Sequence, residues 1–572
     1  MVLFAFLRNL IAGVSPELTV LTEIGVIIII ATFLAFLVKI SKQPLIPAYI
    51  LTGILMGPLF FGIIKDQSLI TSLSQIGVVF LIFTAGIEIS IKKLKEVGMV
   101  SSLGGIIQII ILFFVAFLVS VWFGFSGEAP VYIGLVVAFS STMIVVALLA
   151  EKREINSLHG RIIIGFLLIQ DIAAIIALAV LSSDLSVGSI LIVLAKALAF
   201  GIFAFFLSKI GNTILRKSAD NREMLLLVSI SFLFLFVIGS FIADLSLVIG
   251  AFFAGVALAN SDYKIEIQGN INPIREFFAV IFFVALGMQL KLISSEFISL
   301  LVILFLLVVI LKPLVCMFLV RVFGYKKRTA FLTGNALGQT SEFSFIIVTI
   351  GFSLGHISSE LFSTLIILTV VTMSFTAYFI KYERKLFNKF SWPLNILEEI
   401  KSKNEELEYL YDHKKVILFG CHRVGSLILR EFEKNKDDIL VVDYNPEIIK
   451  ALINKKIPCI YGDFMHEEIL DKVNIKTAEV VISTVPDFED NMNLIRKINR
   501  INPDKIVIVV ASRISEALEL YKRGADYVIL PKFVGGEIAR SIVKKATKDK
   551  EWLRKIKKDH KKRLEEVHRV LY

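Results

Sequence analysis

Phe166-Leu-Leu-Ile-Gln-Asp-Ile-Ala-Ala-Ile-Ile176 places one carboxylate, Asp171, inside a run of aliphatic side chains. Burying an ionised carboxylate in apolar surroundings is costly unless it is paired or hydrogen-bonded. The run extends over 160–182, and about 20 apolar residues are needed to cross a hydrocarbon core. Residues 160–182 are therefore expected to form a membrane-crossing helix. An ionisable group at mid-span is a functional candidate by default. The structural alternative is a permanent salt bridge, with Lys312 as its obvious partner.

The rest of the chain follows from this reading. Of 572 residues, 56% are hydrophobic and 19% charged, and the mean hydropathy is +0.78. A soluble domain has about 45–50% apolar and about 25% charged residues. The charge is unevenly placed. Residues 18–386 are apolar runs with short charged breaks, and 387–572 resemble an ordinary soluble sequence. Spans are expected at 19–40, 44–64, 68–90, 97–124, 130–150, 160–182, 187–208, 222–240, 242–260, 272–290, 296–320, 328–354 and 357–381. Residues 1–14 are expected to be interfacial.

With the N-terminus outside, eighteen Lys and Arg fall in inner loops, among them Lys92, Lys93, Lys95, Lys326, Lys327 and Arg328. Only Arg8, Lys65 and Lys291 fall outside. That bias follows the positive-inside rule and puts the C-terminal part in the cytoplasm. The net charge of +11 then reflects cytoplasmic loops, and no nucleic-acid partner is expected. Cys316, Cys421 and Cys459 are too few for a disulfide framework.

Other intramembrane polar groups stand out. Lys312, followed by Pro313, lies deep in its span. Lys196 either snorkels or pairs, and Glu88 falls near an inner helix end. Two spans carry polar clusters, Ser140-Ser141-Thr142 and Gly338-Gln-Thr-Ser-Glu-Phe343 with Gln339 and Glu342. Paired interrupted helices in two halves of a transporter point to an ion site at the midplane. Ser140, Ser141 and Thr142 offer oxygen ligands, Gln170 a neutral oxygen, and Asp171 a charge.

In the soluble part, Lys415-Val-Ile-Leu-Phe-Gly-Cys-His-Arg-Val-Gly-Ser426 reads as strand, tight turn and helix. Ile439-Leu-Val-Val-Asp443 ends in an acid 23 residues after Gly420. That spacing suits a dinucleotide fold, with phosphate at a helix N-terminus and the acid on ribose hydroxyls. His422 replaces the middle glycine of the pattern, which leaves a smaller nucleotide such as AMP open beside NAD(H). The candidate nucleotide contacts are Gly420, His422, Arg423, Val424, Gly425, Asp443, Asp463 and Thr484. Strand signals at 459–463, 480–484, 506–511 and 526–530 alternate with helices, as in a parallel α/β sheet.

Taken together, Ser140–Thr142, Phe166–Asp171, Phe282-Phe-Val-Ala-Leu-Gly-Met288, Lys312 and Gln339–Phe343 resemble the Kef-type branch of the monovalent cation:proton antiporters. The resemblance covers nearly the whole chain in order. It implies a thirteen-helix sodium/proton-antiporter fold with inverted repeats at 1–386. A linker at 387–413, an RCK (TrkA-N) Rossmann-like domain at 414–545 and a basic helical tail at 546–572 complete the expected organisation. It further implies a homodimer contacting through both parts, an ion-binding acid at Asp171, crossing helices bearing Ser141 and Gln339, and a core lysine at Lys312. The Gln170-Asp171 pair is associated with potassium, sodium remaining the alternative cation. The loop Tyr263-Lys-Ile-Glu-Ile-Gln-Gly-Asn270 lacks the acidity of glutathione-gated members. The expected function is therefore K⁺/H⁺ antiport across a plasma membrane, regulated by an adenine nucleotide, with no enzymatic role. A ligand-gated potassium channel would need a carbonyl-lined filter such as TVGYG. A membrane-anchored dehydrogenase would need a substrate domain after the nucleotide fold. Neither sequence is present.

Overall fold

The computed structural model describes residues 16–41, 43–62, 64, 67–88, 99–152, 154–155, 157–181, 187–218, 221–259, 261, 263–390, 408–409, 414–421, 423–432, 435–462, 469–470, 473, 475–501, 504–547, 549, 551–553, 556–558 and 560–561. The expected interfacial segment at 1–14 lies outside them. The chain forms two compact units, the first comprising Met1–Ile155 and His159–Ser402 and the second Lys403–Tyr572 with Asn156–Leu158.

The first unit is helical. Its elements are α1 (Pro16–Ile40), α2 (Ile46–Met56), α3 (Gln67–Glu88), α4 (Met99–Trp122), α5 (Ala129–Ala138), α6 (Thr142–Glu151), α7 (Leu158–Leu181), α8 (Val187–Ser218), α9 (Arg222–Ile242), α10 (Leu247–Ala259), α11 (Lys264–Met288), α12 (Ser295–Leu306), α13 (Lys312–Val322), α14 (Lys327–Ala336), α15 (Glu342–Ser353), α16 (Ser359–Lys381) and α17 (Glu383–Phe390). Among the described residues, nine helical segments are long and apolar enough to cross a membrane, and four shorter apolar helices accompany them. Helix α2 is shorter than the expected 44–64 because Gly57 caps it, its N–H bonding Gly53 O at 2.7 Å, and Pro58 follows.

Four helices form a scaffold of crossed pairs. Helix α2 meets α11 where a Cβ at Gly53 would lie 2.0 Å from Val284 O, and α10 meets α3 where one at Gly255 would lie 2.2 Å from Phe83 O. Only glycine permits backbones this close, the small-residue packing of membrane helices.

A π-helical turn, Leu307–Leu311, joins α12 to α13. Pro313 has no N–H to donate, and the extra residue per turn accommodates it within a continuous helix. The turn sets Lys312 at the head of α13.

The second unit is a seven-stranded sheet: β1 (Glu408–Tyr409), β2 (Val416–Phe419), β3 (Ile439–Asp443), β4 (Cys459–Tyr461), β5 (Val480–Ser483), β6 (Ile506–Val510) and β7 (Tyr527–Ile529). The order is β1-β4-β3-β2-β5-β6-β7. Strands β2 to β7 are parallel, and β1 is an antiparallel edge. Without β1 this is the doubly wound dinucleotide order, reversing between β2 and β5. Helices α18 (Arg423–Leu429), α19 (Pro446–Asn454), α20 (Phe488–Ile501), α21 (Ile514–Lys522) and α22 (Pro531–Ala546) alternate with the strands. Strands β2 and β3 are buried at every residue, as in sheets covered on both faces. Within the stretch expected as linker, 387–390 belong to α17 and Glu408–Tyr409 form β1.

Candidate functional site

Two spans are interrupted. Helix α5 stops at Ala138 and α6 starts at Thr142. Helix α14 stops at Ala336 and α15 starts at Glu342. Each break frees backbone groups that must find partners where water is excluded. Lys312 is fully buried and directs its ammonium at three carbonyls: Val137 O at 3.0 Å, Phe139 O at 2.6 Å and Gln339 O at 2.7 Å. Its three N–H donors thus serve both breaks at the negative, C-terminal ends of α5 and α14. Ser140 Oγ donates to Leu337 O at 3.1 Å, and Gln339 Nε2 to Ser141 O at 3.2 Å. Thr376 Oγ1 donates to Gly338 O at 3.4 Å, and Thr340 N to Thr372 Oγ1 at 3.3 Å. Gln108 Nε2 donates to Ala138 O at 2.9 Å, and Ser140 N to Gln170 Oε1 at 2.8 Å.

The positive, N-terminal ends of α6 and α15 carry the acids. Asp171 is half-buried, and its Oδ2 accepts from Thr142 Oγ1 at 2.9 Å. Glu342 is the first residue of α15, and its Oε1 accepts from Met143 N at 3.4 Å. Ser141 and Ser341 cap the two half-helices, accepting from Ile144 N at 3.4 Å and Phe343 N at 3.1 Å. Two buried oxygens, Gln339 Oε1 and Glu342 Oε2, have no hydrogen-bond donor among the described residues. Acceptors without donors, beside carboxylates at helix N-termini, can serve a desolvated cation or a proton.

The geometry corrects two sequence-based expectations. Lys312 is not the counter-ion of Asp171: its donors are all taken by carbonyls, and neither residue has an ion-pair partner among the described residues. The ends of α5 and α14 supply the negative potential that Asp171 was expected to supply. Gln170 does not present a free oxygen, because that atom holds the amide of Ser140. The Ser140 hydroxyl gives its proton to Leu337 O, as the Thr142 hydroxyl gives its proton to Asp171, and each keeps its oxygen lone pairs. Ser140, Thr142, Asp171, Gln339 and Glu342 keep acceptor atoms available. Lys196 pairs at 3.7 Å with Asp244 and donates to Ala243 O at 2.9 Å, at the α9 end. Glu88 closes α3, 3.9 Å from Arg275.

In the second unit the first glycine turn lies at the strand reversal. Gly420 has φ +84°, and a Cβ there would lie 2.9 Å from Thr484 Oγ1. A Cβ at Gly425 would lie 2.1 Å from Gly420 O. Both positions therefore need glycine, one for the left-handed turn and one for the approach of α18. Thr484 Oγ1 donates to Gly420 O at 2.9 Å. Asp443 is buried. Its Oδ2 accepts from Cys421 N and its Oδ1 from Asn445 N, each at 2.7 Å. Arg423 opens α18 and Val424 is half-buried. His422 and Asp463 lie outside the described residues. The Cys421 thiol is pushed up to about 12, first by burial and then by the Asp443 charge.

Sequence reasoning missed Gln108, Thr372 and Thr376. Gln108 had a signal: it is a lone amide in the apolar helix α4. The threonines had none, since most threonines of α16 simply bond one turn back in their own helix.

Residues 9–381 match the family model described as sodium/hydrogen exchanger, transmembrane, and residues 416–531 match the TrkA-N domain. The chain is 27% identical over 528 residues to YbaL of Escherichia coli, which is named as a cation/proton antiporter. That alignment covers 88% of this chain and 93% of YbaL. It is 31% identical over 379 residues to K(+) efflux antiporter 6 of Arabidopsis thaliana, covering 62% of each. A solved sodium/proton antiporter from Methanocaldococcus jannaschii aligns with a TM-score of 0.49 at 16% identity, over 66% of this chain and 98% of that one. The exchanger model spans well over half of the sequence, and on that match the chain belongs to the sodium/hydrogen exchanger family, a multi-pass membrane protein with a C-terminal TrkA-N domain.

Proposed function

We propose that this protein exchanges a monovalent cation, potassium before sodium, for a proton across a plasma membrane, with its N-terminus outside and its TrkA-N domain cytoplasmic. The observation that carries this reading is Asp171: a half-buried carboxylate with one hydroxyl donor and no cationic partner among the described residues. Such a group can take a cation or a proton in turn. Thr142 Oγ1, Gln339 Oε1 and Glu342 Oε2 are the oxygens that complete the cation's shell, and oxygen donors suit hard cations. Lys312 holds the two breaks together through its three carbonyl contacts. The relatives named as cation/proton and K(+) efflux antiporters support the choice of cargo. One carboxylate alternating between one cation and one proton makes the exchange electroneutral. The test is proton flux in proteoliposomes with K⁺, Na⁺, Rb⁺ and Li⁺ compared. Flux that ignores the proton gradient, or transport currents that scale with an imposed voltage, would overturn it.

The TrkA-N domain binds an adenine nucleotide, AMP or NAD(H), as a regulator, and the protein acts as a homodimer. Gly420 and Gly425 admit phosphate to the N-terminus of α18, and Asp443, which ends β3, is the acid for the ribose hydroxyls. A ligand here alters transport only by favouring one conformation of the membrane unit. Helix α17 supplies a route within that unit. Glu383 pairs with Lys152, the C-cap of α6, at 2.5 Å, and Phe387 packs on Phe331 of α14 at 5.4 Å between ring centroids. The helix that follows the last span thus grips the inner ends of both interrupted helices. Lys152→Gln should keep cation/proton exchange and lose the response to nucleotide, which the charge-swapped pair Lys152→Glu/Glu383→Lys should restore. A Lys152→Gln protein that responds like the wild type would exclude this route.

A further inference from the structure

The ion site rests on an amide of α4 that lies outside the residues argued above to meet cargo. Gln108 is fully buried in a helix otherwise apolar at its centre. Its Nε2 donates to Ala138 O at 2.9 Å, and its Oε1 accepts from Gln170 Nε2. Gln170 Oε1 in turn accepts from Ser140 N at 2.8 Å.

Neither end of this chain can reverse. Ala138 O can only accept, so Gln108 must turn its NH₂ toward it. That leaves Gln108 Oε1 as an acceptor, so Gln170 must present its own NH₂ there. Its oxygen then faces Ser140 N, which can only donate. Two side-chain amides therefore close the carbonyl and the N–H that flank Phe139, with orientations fixed by the backbone at both ends. Asp171 follows Gln170 in α7, and Thr142 lies two residues beyond Ser140. The clasp that fixes Gln170 on Ser140 therefore fixes the contact of Asp171 with Thr142 beside it.

We infer that Gln108 is a positioning residue of the exchange reaction, which acts through Gln170 to hold Asp171 and Thr142 in register, and that Gln170 acts on the cation through this clasp and not as its ligand. The inference deepens the reading of Asp171 as the carrier and rests on it.

The discriminating variants are Gln108→Leu and Gln108→Glu, in the full chain reconstituted in proteoliposomes. In Gln108→Leu, Ala138 O loses its donor and Gln170 is free to rotate. The apparent KM for the cation should rise at least fivefold, with altered ratios among K⁺, Rb⁺ and Na⁺. In Gln108→Glu, the introduced carboxyl can donate to Ala138 O only while it carries a proton. Its rate relative to wild type should therefore fall as pH rises and recover on acidification, a dependence that a packing defect would not produce. A lowered thermal midpoint with wild-type KM, cation ratios and pH profile would reduce Gln108 to packing and overturn the inference. If Gln108→Leu fails to insert, the pH profile of Gln108→Glu decides alone. Failure of the underlying reading is distinguishable: the wild type itself would then show no cation-dependent proton flux.

Discussion

Asp171 and Asp443 are the two aspartates on which the two units turn, and they are held in opposite ways. Asp443 is buried, with both oxygens on backbone amides at 2.7 Å. Those donors cannot rotate away, so the acid is fixed and fixes the turn at Cys421. Asp171 is half-buried and is met by one hydroxyl, Thr142, whose hydrogen can swing to another acceptor. A carrier needs such replaceable partners, and an acid that shapes a ligand loop needs permanent ones. The same contrast holds for the surrounding backbone. The nucleotide loop is closed by glycines that leave no room for a Cβ. The helix breaks are closed by side chains from α4, α7, α13 and α16, each able to move with its helix.

The largest expected effect follows directly. Asp171→Asn should abolish cation/proton exchange and leave the protein folded, since the amide can still accept from Thr142 but can neither attract a cation nor release a proton. Coupled flux in that variant, measured in proteoliposomes, would end the comparison by removing Asp171 from the carrier role.

Next in size is Lys312→Met. It leaves Val137 O, Phe139 O and Gln339 O without their donor, each worth about 1–3 kcal/mol when buried and unpaired. Breaking a buried charged contact typically costs about 3–5 kcal/mol, and the thermal midpoint in detergent should fall accordingly. The double variant with Asp171→Asn separates the observed arrangement from an ion pair. If lysine serves carbonyls, the two losses of stability add. If it were paired with Asp171, neutralising the acid would rescue the lysine variant.

Asp443→Ala should act on the other side of the comparison. Losing two charge-assisted bonds to amides, each about 1.5–3 kcal/mol, frees the turn at Cys421. Nucleotide affinity of the full chain, by calorimetry, should drop by at least about tenfold, which corresponds to about 1.4 kcal/mol. Asp443→Asn keeps an acceptor oxygen and should lose less. Equal affinity in all three proteins would mean that the acid matters neither to the loop nor to the ligand.

Much of this was legible in the sequence, for identifiable reasons. The spans, the charge bias and the mid-span Asp171 are signals of composition, and lipid enforces them residue by residue. The strand reversal between β2 and β5 followed from glycine spacing and apolar runs. The helix breaks showed as polar clusters in apolar runs. What the sequence hid was the partner of each polar group. Lys312 and Asp171 look complementary as charges, but the ends of α5 and α14 carry negative potential that no residue letter displays. Gln170 looks like a ligand because it adjoins a mid-span carboxylate. Its actual partner, Ser140 N, is a backbone atom freed only because the helix is interrupted. Strand β1 has two residues, too few for any pattern.

The smallest effect tests the grip of α17, and its sign depends on which partner is removed. Glu383 lies buried beside Lys152, and its carboxyl is raised above the ordinary glutamate value, first by burial and only in part offset by the lysine. A group that binds its proton more tightly when folded disfavours the folded state at pH above its unfolded value. Replacing it by a neutral amide, Glu383→Gln, should therefore cost little, about 1 kcal/mol or less. Lys152→Gln is different. It strips the buried carboxylate of the lysine charge that lowered its pKa and leaves only the weaker attraction of His159. Its stability deficit should be larger than that of Glu383→Gln near neutrality. It should shrink as the pH falls toward the acid's raised pKa, where a proton replaces the lysine. Thermal midpoints of both variants measured across pH give the answer. Equal deficits with no pH dependence would mean that the pair has no energetic consequence, and that α17 is held to the interrupted helices by the contacts of Phe387 with Phe331 and Arg328.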